Sequence, residues 1–192
     1  MTLPDWARMP SVLVLVGASG SGKTTVRRGL ETAGLPADLV VSLDDLRRRA
    51  RAWDMAHGRP VRDLQDYSAL AVRQAARRCD ALAVFGAGYL ADATHLRRRD
   101  RRTHVRVAVE TGLEPRAVLA PDLPVEELVE RDLRRPPDER VPVDALLRQA
   151  HRRSLLSAEM LLGEGFRSVV ELGSERGVDA PVRGTAPRCS PN

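Results

Sequence analysis

The sequence predicts an α/β fold in which a mainly parallel five-stranded sheet lies between helical layers, and three features of the chain lead there. Short aliphatic runs alternate with longer amphipathic stretches along its length, as expected of strands buried on both faces and joined by helices. The first run, Ser11-Val12-Leu13-Val14-Leu15-Val16, passes directly into a glycine turn, GASGSGKTT (17–25), and then into a helix-like segment. Hydrophobic residues make up 43% of the 192 but aromatics only 3%, so the core is built from Leu, Val and Ala. A chain of this length forms one domain with a full core.

Each element has its own signals. After the strand at 11–16, residues 24–33 read as a helix ended by Gly34 and Pro36. Residues 39–43 (LVVSL) suit a second buried strand, and Asp44-Asp45-Leu46-Arg47 opens a helix interrupted by Gly58 and Pro60. A long amphipathic helix is expected over 64–85, stopped by Gly86-Ala87-Gly88. Then come a short strand at 89–92, a very basic helix at 96–111 and a strand at 116–120. Pro124 starts a helix that carries Glu126, Glu127 and Arg131. The segment 132–142 (DLRRPPDERVP) is broken by prolines and crowded with arginine, so it reads as a charged loop able to act as a lid. One helix over 143–162 and a last strand over 166–172 complete the domain, expected to span 11–172. Residues 1–10 read as a lead, and the Gly-, Pro- and Ser-rich stretch from 173 as a disordered tail.

Composition excludes several classes. Cys79 and Cys189 are the only cysteines, so no disulfide framework or zinc site is expected. No apolar run reaches the length of a membrane span, and the first ten residues lack a signal-peptide layout, so a soluble cytoplasmic protein is expected. The net charge of +5 points weakly to an anionic partner. Isoleucine is absent and the sole asparagine is Asn192, a bias that inflates arginine everywhere, and the scarcity of aromatics argues against base-stacking platforms.

The turn at 17–25 fits G-x-x-x-x-G-K-S/T through Gly17, Gly22, Lys23 and Thr24, in the strand–turn–helix setting that pattern requires. Its backbone N–H groups, across Gly17, Ala18, Ser19, Gly20, Ser21, Gly22 and Thr25, are suited to cradle phosphates. Lys23 would reach the β- and γ-phosphates, and the Thr24 hydroxyl would bind Mg²⁺. Lys23 is the only lysine among the 31 basic residues. An ammonium fits between phosphates where the broader guanidinium does not.

Other chemistry is expected at strand ends. Asp44 or Asp45 can accept a proton from an attacking hydroxyl, although either also suits a helix N-terminus. Asp92 ends a strand where a second carboxylate near Mg²⁺ would stand, or ends it without any such role; His95 is either an acid–base group or a turn histidine. Arg131, Arg134, Arg135 and Arg140 lie in or beside the lid, where an arginine stabilises charge on a transferring phosphoryl group. The clusters 47–51 and 97–102 either hold acceptor phosphates or are solvated helix faces.

The order GASGSGKTT, VVSLDDLR, ADATHL with a basic helix, and LVERDLRRP followed by ERVPVDALLR resembles the polynucleotide 5′-kinase family, phosphate-loop kinases of nucleic-acid end healing. The final GEGFRSVVEL is also similar to the last strand of bacterial members. The similarity covers about 11–172 and implies the adenylate-kinase-like P-loop NTPase fold, a three-layer sandwich with an arginine-rich lid. It further implies ATP and Mg²⁺ as cofactors, with Lys23 and Thr24 on the phosphates and metal and Asp44 as general base. Arg47 would contact the acceptor phosphate, Arg131 and Arg135 the donor phosphates, with Arg140 a weaker match. Asp92, Thr94 and His95 would face the acceptor, a polynucleotide 5′-hydroxyl end. Where relatives tend to read D-A-T-N, this chain has Asp92-Ala93-Thr94-His95, and no phosphatase or ligase segment accompanies the kinase motifs. The same scaffold serves kinases of antibiotics, sugar acids and nucleosides, and a non-transferring ATPase is a third reading. A guanine-reading N-K-x-D element is excluded by the absence of a second lysine.

Overall fold

Five consecutive residues of β1 (Ser11–Val16), from Val12 to Val16, are each at most 5% exposed. Only a strand with neighbours on both edges and layers on both faces buries every side chain in this way. The computed structural model describes residues 10–173, so the expected lead over 1–9 and the tail from 174, with Cys189, lie outside the described residues. Beside β1 stand β2 (Val40–Ser42), β3 (Tyr89–Asp92), β4 (Glu114–Leu119) and β5 (Ser168–Glu171). The sheet has the order β2-β3-β1-β4-β5, and every pair is parallel.

The helices are α1 (Lys23–Thr32), α2 (Leu43–Ala56), α3 (Ser68–Val84), α4 (Arg98–Glu110), α5 (Val125–Leu133), α6 (Val143–Ser154) and α7 (Ala158–Gly163). Alternation along the strands sorts the layers. Leu13, Leu15, Leu90 and Val118 pack with Val26 and Leu30 of α1 on one face. Val12, Val14, Val16, Val41 and Ala91 pack with Cys79 of α3, Val107 of α4 and Leu161 of α7 on the other. This is the expected three-layer sandwich. Among the described residues no helix is long and apolar enough to cross a membrane.

The structure departs from the expected elements at four places. The helix expected over 143–162 is two helices: Arg153 donates to the Ala120 and Leu156 carbonyls at 2.6 and 2.9 Å, and Ser157 restarts the chain by capping Met160 N–H. The helix expected over 64–85 begins as a 3₁₀ turn, Leu64–Tyr67, because Leu64 and Tyr67 turn inward and the Tyr67 hydroxyl donates to Asp54 at 2.9 Å. β2 ends at Ser42, whose hydroxyl accepts from Asp45 N–H and so places Asp44 and Asp45 in the first turn of α2. The charged loop is shorter than expected: α5 runs through Leu133, and Pro137–Glu139 forms a 3₁₀ turn. Asp132, 4% exposed, anchors that loop by accepting Val141 N–H at 2.9 Å.

The basic helix is not a uniform solvated face. Arg101 of α4 is 1% exposed and makes a two-point ion pair with Glu164 at 2.6 and 2.7 Å, tying α4 to the end of α7. Removing one member of such a pair strands a buried charge. Glu164→Ala is therefore expected to destabilise the protein by about 3–5 kcal/mol in urea denaturation; a loss below 1 kcal/mol would show that water already screens the pair.

Candidate active site

The strand order reverses about β1, whose two neighbours, β3 and β4, both come later in the chain than β2. In open parallel sheets such a switch point opens a crevice at the carboxyl ends of the strands. Here the ends of β1, β2 and β3 deliver the 17–25 turn, Asp44 and Asp92 to one cleft of about 570 Å³.

The turn fits phosphate on evidence of its own atoms. A Cβ at Gly17 would lie 2.6 Å from the Ala120 Cβ and 2.7 Å from Ser21 Oγ, so only glycine passes there. Gly22, at φ 93, is the N-cap of α1, and no side chain caps that helix, which leaves its positive end facing the cleft. Ser21 Oγ is buried without a hydrogen-bond partner. Lys23 Nζ donates to the carbonyls of Gly17 and Ala18 at 3.0 and 2.6 Å, curled back on its own turn. Loss of hydration lowers its pKa to about 8, against the pull of the Asp92 and Asp44 carboxylates and helped by the Arg135 charge. Thr24 is exposed at the head of α1 and shares the cleft with Asp92. A hydroxyl and a carboxylate, completed by phosphate oxygens and water, make a donor set that suits Mg²⁺.

The facing wall is α2. Asp44 is half exposed, and its Oδ1 accepts from Arg47 Nη1 at 2.5 Å, while Arg47 Nε donates to Ser68 Oγ at 3.1 Å. Asp44 thus has a fixed orientation, and its second oxygen has no hydrogen-bond partner among the described residues. Asp92 and Asp45 are instead bridged by Arg27 at 3.2 and 2.9 Å. Burial raises the Asp92 pKa, opposed by Lys23 and Arg27. The end wall comes from α5 and the loop after it. Arg131 donates to Gly20 O at 3.1 Å and to Glu127 at 2.7 Å, and Arg135 stands 3.5 Å from Asp132; both line the cleft. The loop is tied across to α2 by Arg48–Glu139 at 3.0 Å and by Arg51–Asp138.

Of the residues expected at the site, Ser19, Gly20, Gly22, Lys23, Thr24, Thr25, Asp44, Arg47, Asp92, Thr94, Arg131 and Arg135 line this cleft. Of the others, Gly17, Ala18 and Ser21 are buried within the turn, and Arg140 and His95 are placed elsewhere. Arg140 turns away to donate to the carbonyls of Arg135 and Leu133, at 3.1 and 2.9 Å, and staples the loop. His95 is 8% exposed and lies behind the cleft, at the floor of a second cavity of about 490 Å³ between α3 and α4. The cluster at 97–102 is likewise divided between the buried Arg101 pair and exposed arginines beside that second cavity. Two further residues join the site. Gln149 of α6 accepts Ser19 N–H at 2.7 Å across 130 residues, a contact with no local sequence signal. Arg27 lies four residues beyond Lys23 on α1, a spacing that puts both on one helix face and was legible.

Burial holds His95 down to about 4, and burial with the neighbouring His95 ring holds His104 down to about 3. Both rings are neutral in the folded protein, whereas the unfolded chain takes up their protons near pH 6.5. Between that pH and about 4 the unfolded state binds more protons, so stability falls as pH falls. We expect roughly 1.4 kcal/mol per pH unit for each neutral ring in this window and a plateau above pH 7.5. Urea midpoints that stay flat from pH 7.5 to 5 would contradict the burial.

A parallel sheet in this strand order, with a phosphate loop after its central strand and a helix N-terminus behind that loop, is the fold of P-loop nucleotide-binding proteins. The chain belongs to the AAA_33 family, described as an AAA domain, whose model matches residues 12–156. Among solved structures, a chain of the AvrRxo1-ORF1:AvrRxo1-ORF2 complex with sulphate ions superposes with a TM-score of 0.58 at 18% identity, covering 74% of this chain and 51% of that one. The same complex with ATP gives 0.58 at 18% identity, over 72% and 45%. This chain therefore spans about half the length of those neighbours. A gluconokinase from Sinorhizobium meliloti 1021 gives 0.51 at 22% identity, over 88% and 85%. No curated protein matches the chain by sequence. At these identities the likenesses show a shared fold.

Proposed function

We propose that the protein is an ATP-dependent kinase that moves the γ-phosphate of ATP onto a hydroxyl, with a polynucleotide 5′-hydroxyl end as acceptor. The observation that carries the transfer is that Lys23 and Thr24 share one cleft with Asp44, donor machinery on one wall and a carboxylate on the other. Lys23 would leave its carbonyl partners for the β- and γ-phosphates, while Thr24 would hold Mg²⁺, which when bound would neutralise phosphate charge. Arg131 and Arg135 lie at the wall where equatorial oxygens would gather charge. Asp44 takes the acceptor proton as the new O–P bond forms and the bond to the β-phosphate oxygen breaks, releasing ADP.

The acceptor assignment rests on the motif order around S-L-D-D-L-R and on Arg47, which stands beside Asp44 where a phosphate next to the reacting end would lie. A second reading, a small hydroxyl compound, is favoured by the enclosure of that end. Leu64, Gln65, Glu139 and Val141 wall it, and Arg47, Arg48 and Arg51 are each already paired with carboxylates. A gluconokinase shares the fold.

The test is transfer of label from γ-labelled ATP with Mg²⁺ to 5′-hydroxyl DNA and RNA oligonucleotides, beside a panel of sugar acids, nucleosides and aminoglycosides. Label on oligonucleotides with none on the panel is the expected result. Label confined to the panel selects the second reading, and ATP consumption with no labelled acceptor in either set removes the kinase assignment.

A further inference from the structure

His95 is the only non-glycine residue with a positive φ among the described residues, at 45°. An ordinary side chain is strained there, and the strain persists only where surrounding contacts demand it. Those contacts run in one direction. His95 Nδ1 stands 2.8 Å from the Leu15 carbonyl, which can only accept, so Nδ1 carries the proton and Nε2 a lone pair. That lone pair faces His104 Nε2 at 3.1 Å, which must then be the donor. His104 Nδ1 is left as an acceptor, and the Tyr89 hydroxyl donates to it at 2.9 Å. Tyr89, His104 and His95 thus form one chain of neutral groups, each donating to the next and ending on the backbone of β1.

The far end of this chain is the foot of the phosphate loop. Leu15 stands two residues before Gly17. The residue preceding His95, Thr94, accepts Gly17 N–H at 2.9 Å, while Ala120 N–H donates to Val16 O at 2.8 Å from the other side. Arg101 in turn grips the His95 carbonyl at 2.9 Å and is itself clamped by Glu164. The carbonyls of Gly17 and Ala18 hold Lys23, so the position of the foot sets that of the ammonium.

We propose that His95, oriented by His104 and Tyr89, is a positioning residue that fixes the entry of the phosphate loop, and with it Lys23, in the shape that receives ATP. It does not touch the acceptor. The inference rests on the nucleotide-binding half of the proposed function and is independent of which hydroxyl is phosphorylated. Asparagine at 95 would preserve the essential feature: it tolerates positive φ and offers an amide N–H to Leu15 O. Leucine keeps the bulk and loses both.

The test is binding of a fluorescent ATP analogue to the full chain, without acceptor, at a temperature well below unfolding. His95→Leu is expected to weaken binding about tenfold or more, and His104→Phe about three- to tenfold, with His95→Asn returning to within about threefold of the unsubstituted protein. Nitrogen-15 spectra of the histidine rings provide a readout that general destabilisation would not move. They are expected to show His95 protonated at Nδ1 and His104 at Nε2, unchanged from pH 8 to 5. The charged or titratable groups around the rings include Lys23 on α1, Tyr89 on β3, Cys79 and Asp80 on α3, and Asp100 and Arg101 on α4. The proposal is overturned if His95 carries its proton on Nε2, or if His95→Leu and His104→Phe bind the analogue as tightly as the unsubstituted protein. Failure of the unsubstituted protein to bind the analogue would instead remove the nucleotide reading itself.

Discussion

Replacing Asp44 with asparagine is expected to lower the rate of phosphoryl transfer by about 10²–10⁴-fold while leaving the affinity for ATP within about threefold. The asymmetry follows from where Asp44 stands. It lies on the α2 wall of the cleft, opposite the loop that would hold the nucleotide, and one oxygen is taken up by Arg47. Asparagine preserves the size of the group and its hold on Ser68 through Arg47, but it cannot take a proton from the acceptor. Initial rates with saturating ATP, beside the Kd of an ATP analogue, separate the two effects. Full transfer by the Asp44→Asn protein would remove Asp44 as the base and leave the kinase assignment intact. A parallel loss of ATP affinity would mean that Asp44 acts on the donor side.

Lys23→Ala is expected to cost transfer about 10²–10³-fold and ATP affinity about tenfold, because it removes charge from both the ground state and the transition state. A pH effect accompanies it. The nucleotide-free protein holds the Lys23 ammonium with a pKa of about 8 because burial strips its hydration. Bound phosphates favour the charged form, so the complex keeps a proton that the free protein has begun to lose. Affinity for ATP is therefore expected to fall as pH rises above about 8, by up to tenfold per unit, and to level off below pH 7. Isothermal titration from pH 6.5 to 9.5 measures this directly, and the slope should vanish in Lys23→Ala. An affinity independent of pH across that range would mean that Lys23 stays fully charged in the free protein.

Much of the frame was legible because its signals are local. The aliphatic run at 11–16, the glycine turn, and the apolar-to-acidic ends at 42–45 and 89–92 each combine a strand signal with a chemical group at its carboxyl end. In a parallel sheet those ends converge, so Lys23, Asp44 and Asp92 could be assigned to one cleft before their distances were known. Boundaries were less legible because they depend on side chains from elsewhere. Arg153 reaches back to Ala120, and with Ser157 it turns one expected helix into two. Ser42 hands Leu43 to a helix when the aliphatic run alone would continue the strand.

The arginines show the limit most plainly. By composition they are interchangeable, yet Arg101 is a buried structural cation, Arg140 is a staple within its loop, and Arg131 and Arg135 face the cleft. A guanidinium has a long reach and five donors, so its role is set by whichever carbonyl or carboxylate the fold brings near it.

The same distinction holds for the protein as a whole. The sequence by itself determined the class, since a glycine turn between a buried strand and a helix, bearing the chain's single lysine, has one physical use that explains all its parts. Tertiary structure alone decided which polar residues meet that turn. Gln149 arrives from 130 residues away and the His95 ring lies beneath β1. Hydrogen bonds between distant segments depend on positions accurate to a few tenths of an ångström, and no local pattern of residues carries that information.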